Sequence, residues 1–439
     1  MSFERARRVG LISVGVPYFG VTTARAHLDT TRRTLAGRYD LCGPSAVVTE
    51  QPAFDLALAE LRAAQPDVLL LQIGTFPDGE TPARLAETLR VPVIVHSLPE
   101  PALERQVELN SLCGANLATF TLAALDCPYS WVHGDPAESP VSTRLGAHLD
   151  AALALADLRG LRMGLIGYRA PGFYPCVFDE LLLRRKLGIA IQHVGLNEMT
   201  RELASAPSRR APVSDFPTIE GGSQPPAAIA EMERYYGALS RLLETSGHHV
   251  FAIKDWPELF DVDAPGGFWP ALGWIADDGY LLAPEGDVNG AVTMALLHSL
   301  AGKQPFFADI SAWDDADSTL TVWHYGGPPS LARSKDEIRY GQEGREVQFT
   351  LRPGPAVIAR VGLHRGELRL LAIAAEVTEQ AVALRRAGGR VRTTATPAGQ
   401  VVRAMLEGGW EHHVSLVHGD IMEQLTVAAR LAGIPLLAL

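Results

Sequence analysis

The chain has 439 residues, enough at about 150 residues per domain for roughly three cores, which excludes a single small module. Its 39 Lys and Arg against 50 Asp and Glu give a net charge of −11 with no basic run, so electrostatics excludes nucleic acid and anionic lipid as partners. Charged residues at 20% and hydrophobic ones at 47% exclude a largely disordered chain. The cysteines Cys42, Cys113, Cys127 and Cys176 are widely spaced, so neither a disulfide framework nor a thiolate zinc site is expected. The apolar stretch 9–16 is too short for a signal sequence and no tract reaches membrane-spanning length. A soluble, cytoplasmic protein is the expectation.

Up to residue 158, strand-like runs at 10–14, Val68–Ile73, 91–96 and 131–133 alternate with helical patterns at Val21–Leu35, 54–65 and 82–89. Such alternation predicts a parallel sheet covered by helices, an N-terminal α/β domain over 1–158 that closes with a helix at 145–158. The strand 161–167 starts a second α/β domain, 159–304, with a helix at 178–186, a strand at 189–194, a Pro, Ser and Gly-rich loop at 206–226 and a helix at 227–245. It continues through the strand Val250–Ile253 and the helix Val288–Ala301, which Gly302 and Pro305 stop. From 305 to 439 the texture changes to short strands at 319–323, 346–351, 356–361 and 368–374, separated by turns, the texture of an antiparallel barrel or sandwich, so a β-rich, barrel-like C-terminal domain is expected. The fold class is therefore α/β, two Rossmann-like α/β domains followed by a barrel.

Glu285 and Asp287 lie in a turn that opens the helix Val288–Ala301, where acidic residues serve as caps and complement the helix dipole as readily as they serve chemistry. Asp309 follows F-F-A in a strand beyond that helix. Some 20 Å of helix carries the chain out, and the strand can return it so that the two carboxylates meet. Near the C-terminus, W-E-H-H-V-S-L-V-H-G-D concentrates His412, His413 and His418. A strand over 412–417 would put His412 and His413 on opposite faces and His418 with His412, so at most one of the adjacent pair would enter a shared pocket. Each histidine is equally suited to a hydrogen-bonded core position. Two carboxylates and one imidazole make an oxygen-rich set that favours Mn²⁺ or Mg²⁺. Such an ion can polarise adjacent sugar oxygens while a carboxylate moves a proton between C1 and C2, the chemistry of aldose–ketose isomerisation.

The stretches E-G-D-V-N-G-A-V-T-M, S-L-A-G-K-Q-P-F-F-A-D, T-L-T-V-W-H-Y-G-G and H-H-V-S-L-V-H-G-D with R-L-A-G-I-P resemble the L-fucose/L-arabinose isomerase superfamily, most closely over 250–439. The resemblance implies a metal held by Glu285, Asp309 and His413, with Glu285 and Asp309 as the catalytic acid and base. It implies Mn²⁺ or another divalent cation such as Mg²⁺ or Co²⁺, a free monosaccharide as substrate, and a cis-enediol intermediate. Lys254 and Trp256 in I-K-D-W-P-E-L, with Asn289, His324, His412 and His418, are substrate-binding candidates. For His324 a core position in its alternating strand is an equal reading. The segment 110–115 resembles a loop that reaches a neighbouring subunit, which implies a homo-oligomer, a hexamer or trimer.

The chain is shorter than the classical fucose and arabinose isomerases, so an isomerase for a C6-modified hexose, such as a sulfonated sugar, is the alternative within the superfamily. A non-catalytic sugar-binding protein built from two α/β lobes is the alternative of another class. A nucleotide-dependent oxidoreductase would need a Gly-rich turn after a strand, which G-L-I-G-Y at 164–168 does not supply.

Overall fold

A computed structural model describes residues 7–102, 106–259, 266–380 and 385–439. The chain divides into two compact units, one formed by residues through Asp157 with Glu423–Ile434, the other by Leu158–Met422 with Pro435–Leu439.

In the first unit β1 (Arg8–Val14), β2 (Asp40–Cys42), β3 (Val47–Val48), β4 (Val68–Ile73), β5 (Val93–Ser97) and β6 (Tyr129–His133) form a parallel sheet ordered β2-β1-β4-β5-β6, with β3 also on β1. All six residues of β4 are buried, because a parallel strand in the middle of such a sheet is covered by helices on both faces. The segment expected to be a loop at 110–115 is instead the start of the helix Ser111–Ala124. Apolar and small residues occupy nearly every side of that helix, so no 3.6-residue period shows in its sequence.

The second unit holds a parallel sheet of β7 (Arg162–Ile166), β8 (Ala190–Val194), β9 (Val250–Ile253) and β10 (Leu281–Ala283) in the order β10-β9-β7-β8. The helix Phe268–Asp277, F-W-P-A-L-G-W-I-A-D, is not anticipated by periodicity. It is buried from Phe268 to Ala276, and a helix apolar all round carries no amphipathic signal. The stretch 206–226 forms no helix or long strand, as its Pro and Gly content predicts, and touches the rest by a parallel bridge between Thr218 and Tyr340.

Beyond β10 the same unit builds β11 (Phe306–Asp314), β12 (Thr319–His324), β13 (Arg339–Tyr340), β14 (Val347–Gln348), β15 (Gly354–His364), β16 (Glu367–Val377), β17 (Ala387–Thr393), β18 (His413–His418) and β19 (Leu436–Ala438). Six of these close on themselves in the order β15-β18-β11-β12-β17-β16, with β15 pairing back to β16 and β19 lying parallel on β16 outside the ring. The hairpin β15–β16 turns through Arg365 and Gly366, both at positive φ of 51° and 81°, the two-residue turn whose twist matches that of its strands. The strand expected at 346–351 shrinks to β14, which pairs only with β13. The barrel position goes to β17, whose sequence A-G-G-R-V-R-T hides it. Gly388 is required there, since a Cβ would lie 2.3 Å from the carbonyl oxygen of Val322. Two parallel α/β sheets followed by a closed barrel agree with the fold class read from the sequence.

His96 and His148 are buried in the first unit, His96 between the Gly134 carbonyl and Gln72, His148 against Ser130. Burial pushes both imidazoles down to about 4 from 6.5. Each therefore stays neutral in the folded chain while it protonates near 6.5 in the unfolded one. Stability is full above that value and falls as pH drops from about 6.5 to about 4, by about 1.4 kcal/mol per pH unit for each histidine. Urea unfolding followed between pH 7 and 4 should show this slope, and His96→Asn should remove about one proton's share of it.

Candidate active site

The site grows from three chain segments of the second unit. After β10 the chain passes Pro284 and enters Glu285 and Gly286 with positive φ of 61° and 66° before Asp287 caps the helix Val288–Ala301. A non-glycine residue in the left-handed region is uncommon and costs free energy. Here it is held from both sides, because the Glu285 amide donates to Asp255 Oδ1 at 2.9 Å and the Gly286 amide to the Ile253 carbonyl at 2.9 Å. β11 and β18 run antiparallel with Asp309 directly opposite His413, which puts both side chains on one face of the barrel wall.

The side chains of Glu285, Asp309 and His413 thus converge. His413 Nε2 lies 2.9 Å from Glu285 Oε2 and 3.7 Å from Asp309 Oδ1. All three atoms are buried, and apart from the close contact of Glu285 Oε2 with His413 Nε2 and the longer one of Asp309 Oδ1, none meets a further polar partner among the described residues. Two carboxylates buried against one imidazole, with hydrogen-bonding capacity left over, mark a place for a ligand, and Glu285, His412 and His413 have ligand atoms within 4.8 Å of one another. Two carboxylate oxygens and an imidazole nitrogen suit a divalent cation of the Mn²⁺ or Mg²⁺ type. Burial, with Glu285 adding to it, pushes the Asp309 carboxyl up to about 6 against the pull of His413. Burial and then Glu285 likewise push Asp255 up to about 7. His413 offsets only part of the negative charge gathered here, a deficit that a cation would meet.

The far side of His413 is fixed. Its Nδ1 donates to Asp287 Oδ2 at 2.9 Å, and Asp287 receives Arg360 through both guanidinium nitrogens at 2.5 and 3.1 Å. The Asp287 and Arg360 side chains are both fully buried. Burial alone would raise the Asp287 carboxyl, but Arg360 and His413 overcome it and hold the group well below the usual carboxylate range. Burial disfavours a charged His413, yet its bonds to Asp287, Cys176 and Glu285 keep its imidazole well above 6.5. Cys176 Sγ stands 3.8 Å from His413 Nδ1, so Cys176, Asp287 and His413 also form a cluster of ligand types. That side suits a metal poorly, because Asp287 is committed to Arg360 and to the helix cap, and burial pushes the thiol up to about 12.

His412 does not follow the alternation expected from the sequence. β18 begins only at His413, so the preceding residue is free of the strand's pleat. The two rings lie 4.3 Å apart between centroids, and His412 Nε2 is 3.9 Å from Asp309 Oδ1. His418 is not brought to the site. It sits at the other end of β18, about 17 Å along the strand, and donates to the Arg352 carbonyl at 2.6 Å. His324 is buried among Trp269, Phe307 and Tyr325, and Phe307 separates it from His413. Asn289 donates to the Val177 carbonyl at 3.1 Å and leaves its Oδ1 buried without a partner. Lys254 pairs with Glu258 at 2.5 Å. Trp256 packs on Phe173, whose ring also meets His412 and His413.

The sequence reading passed over Asp255, Asp287 as a partner of histidine, Arg360 and Phe173. Arg360 had a visible cue, a lone charge inside the apolar run A-V-I-A-R-V-G-L. Phe173 had none, since its loop is irregular.

No protein-family model matches the chain. The sulfoquinovose isomerase of Alkalicoccus urumqiensis is 27% identical over 432 residues, covering 95% of this chain and 96% of that protein. That of Clostridium sp. (strain MSTE9) is 26% identical over 441 residues, with 96% and 97% covered, and that of Priestia megaterium is 25% identical over 435 residues, with 96% and 97% covered. Among solved structures, D-threo-3-hydroxyaspartate dehydratase from Delftia sp. HT23 is 11% identical over 98% of this chain and 87% of that one, at a TM-score of 0.14, too low to bear on the fold. The near full-length likeness to sugar isomerases makes this chain an enzyme, a sugar isomerase that interconverts aldose and ketose.

Arg360→Met, which leaves Asp287 buried without its guanidinium, should lower the unfolding free energy by about 3–5 kcal/mol. Adding Asp287→Asn, which removes the stranded charge and still caps the helix, should recover most of that loss. Urea unfolding of the single and double variants measures the coupling. Equal losses in both would mean that the pair is not the cause.

Proposed function

We propose that the enzyme is a divalent-metal-dependent aldose–ketose isomerase whose substrate is a C6-sulfonated hexose, with the metal held by Glu285, Asp309 and His413. The observation that carries the metal is the burial of Glu285 Oε2 and Asp309 Oδ1 within 2.9 and 3.7 Å of His413 Nε2, with no other polar partner for any of the three among the described residues. The sulfonated substrate is supported by the relatives, which are sulfoquinovose isomerases along nearly their whole length. It replaces the fucose or arabinose-type sugar as the favoured substrate. The partition at residues 158 and 304 and a cytoplasmic location belong to the same proposal.

When bound, the ion would draw charge from the sugar carbonyl and lower the cost of removing the adjacent C–H proton. The protein's own groups do the rest. One carboxylate of the Glu285 and Asp309 pair takes the proton from C2, exchanges it with solvent at least in part and delivers a proton to C1, while the other passes the O2 proton to O1, which converts aldose to ketose through a cis-enediol with no net loss of atoms. Asp287 and Arg360 hold the His413 ring so that Nε2 faces the carboxylates, the usual way a second residue orients an imidazole ligand. Phe173, Phe307 and Trp256 wall the histidines and keep bulk water from quenching the carbanion-like intermediate. Lys254, Asn289 and His412 remain the candidate sugar contacts.

Isomerisation of sulfoquinovose followed by ¹H NMR tests the reading. Chelation should abolish turnover and Mn²⁺ should restore it. Asp309→Asn should keep the fold by circular dichroism, lose metal affinity by calorimetry, and drop turnover by at least about 10³-fold, as loss of both a ligand and a proton carrier demands. In D₂O the product should gain deuterium at C1. Full activity after exhaustive metal removal would overturn the metal, and complete retention of the C2 hydrogen would overturn the proton transfer.

A homo-oligomer, hexamer or trimer, is part of this proposal. It is supported by the helix Ser111–Ala124, which turns the large apolar side chains of Leu112 and Phe120 to solvent, 60% and 74% exposed. Light scattering on active enzyme should give a trimer or larger, and an active monomer would sink the idea.

A further inference from the structure

A sulfonate is a permanent anion, and the site described above is itself acidic, so a C6-sulfonated hexose needs a cation at the end of the sugar away from Glu285 and Asp309. Most candidate cations around the site are already committed. Lys254 is held by Glu258, Arg360 by Asp287, and Arg386, which stacks on Trp323 beside Asp309, by Glu346. Arg169 differs. Among the described residues it has no carboxylate partner, its Nε is buried without an acceptor, and its one hydrogen bond is a long one, Nη1 to the Ala170 carbonyl at 3.4 Å.

Its place in the fold is next to the chemistry. Arg169 lies on the loop that leaves β7, and that loop is packed against the Glu285 turn. A Cβ on Gly286 would stand 2.4 Å from the Tyr168 carbonyl oxygen and 2.9 Å from the Arg169 nitrogen. A few residues on, Phe173 of the same loop packs on His412 and His413. The loop therefore spans the side of the site between Glu285 and the histidines. The guanidinium itself is clamped, its carbon 5.5 Å from the Tyr168 centroid and 5.3 Å from that of Tyr174. These two rings are 50% and 73% exposed, so the clamp stands at a surface that solute can reach. The two rings, at cation–π distance, hold the guanidinium in place, and with its Nε N–H lacking an acceptor it keeps donors for an oxyanion.

We propose that Arg169, held between Tyr168 and Tyr174, is the cation that receives the sulfonate of a C6-sulfonated hexose and so sets the specificity of the isomerase. The inference rests on the sulfonated-sugar reading above. Arg169 acts on binding alone, because it holds the end of the sugar remote from the carbons that exchange a proton.

The test compares sulfoquinovose with glucose, its C6-hydroxyl counterpart, in the metal-loaded wild type, Arg169→Gln, Arg169→Lys and the control Arg386→Gln. Turnover is read by NMR, and affinity for the corresponding sulfonated and plain hexitols by calorimetry. Arg169→Gln should raise KM for sulfoquinovose and weaken binding of the sulfonated hexitol roughly 10- to 100-fold, the worth of one charge-assisted pair. Its kcat and its affinity for the plain hexitol should stay within about threefold of wild type. Arg169→Lys, which keeps charge without the planar fork, should fall between and carries the comparison if the Gln variant does not fold. Arg386→Gln should match wild type. Unchanged sulfonate binding in Arg169→Gln, equal losses for both hexitols, or the same selective loss in Arg386→Gln overturns the inference while wild-type turnover of sulfoquinovose leaves the substrate reading standing. A wild type that turns over no sulfoquinovose overturns both.

Discussion

Everything at the site hangs on the buried contact between Arg360 and Asp287. A guanidinium and a carboxylate taken wholly out of water are costly unless each satisfies the other and the leftover lone pairs find donors. Here they do. Asp287 accepts from both Arg360 nitrogens, from His413 Nδ1 and from the Gly290 amide that begins the following helix. One carboxylate thereby ties the helix Val288–Ala301 to β15 and β18, so the parallel sheet that ends in Glu285 and the barrel that carries Asp309 and His413 are held in one register. The pair lends the site its geometry more than it lends the fold net stability.

The Glu285 turn is the second constraint. Its positive φ is maintained by a hydrogen bond to Asp255, a carboxyl that burial and Glu285 itself push up to about 7. A strained backbone residue beside under-compensated acids is the kind of local cost that folded proteins keep at functional sites. It explains why Glu285 points toward His413 while its neighbour Asp287, two residues on, points behind it. One short turn thus serves both sides of the imidazole, with one carboxylate toward the reacting face and the other against its back.

Residue type and spacing made Glu285, Asp309 and the three C-terminal histidines candidates, the resemblance to the isomerase superfamily singled out His413, and the fold brings Glu285, Asp309 and His413 together. His412 and His418 show where pattern reasoning gave way. The pleat rule orders side chains only inside a strand, and β18 starts one residue later than the pattern allowed, so His412 turned toward the site while His418 went to a backbone carbonyl at the far end. Lys254 and Trp256 lie on the segment beside Asp255, but Lys254 is drawn to Glu258. A helix-forming stretch with apolar residues on every side, as at Phe268–Asp277 or Ser111–Ala124, gave no period to read.

Composition and patterning by themselves determined the class of the protein: apolar runs alternating with helical segments point to covered parallel sheets, and alternating short strands rich in turns to a barrel or a sandwich, between which the pairing of β15 with β16 decided for the barrel. Residue chemistry likewise determined that an oxygen-rich acid and imidazole set was available. Tertiary structure alone decided which partners each of those groups would face. Arg360 and Phe173 lie far in sequence from Asp287 and His413, which they meet in the fold, and only for Arg360 does the surrounding stretch give a cue. Burial, unmet hydrogen-bonding capacity and charge compensation are properties of a place in the fold and not of a stretch of chain.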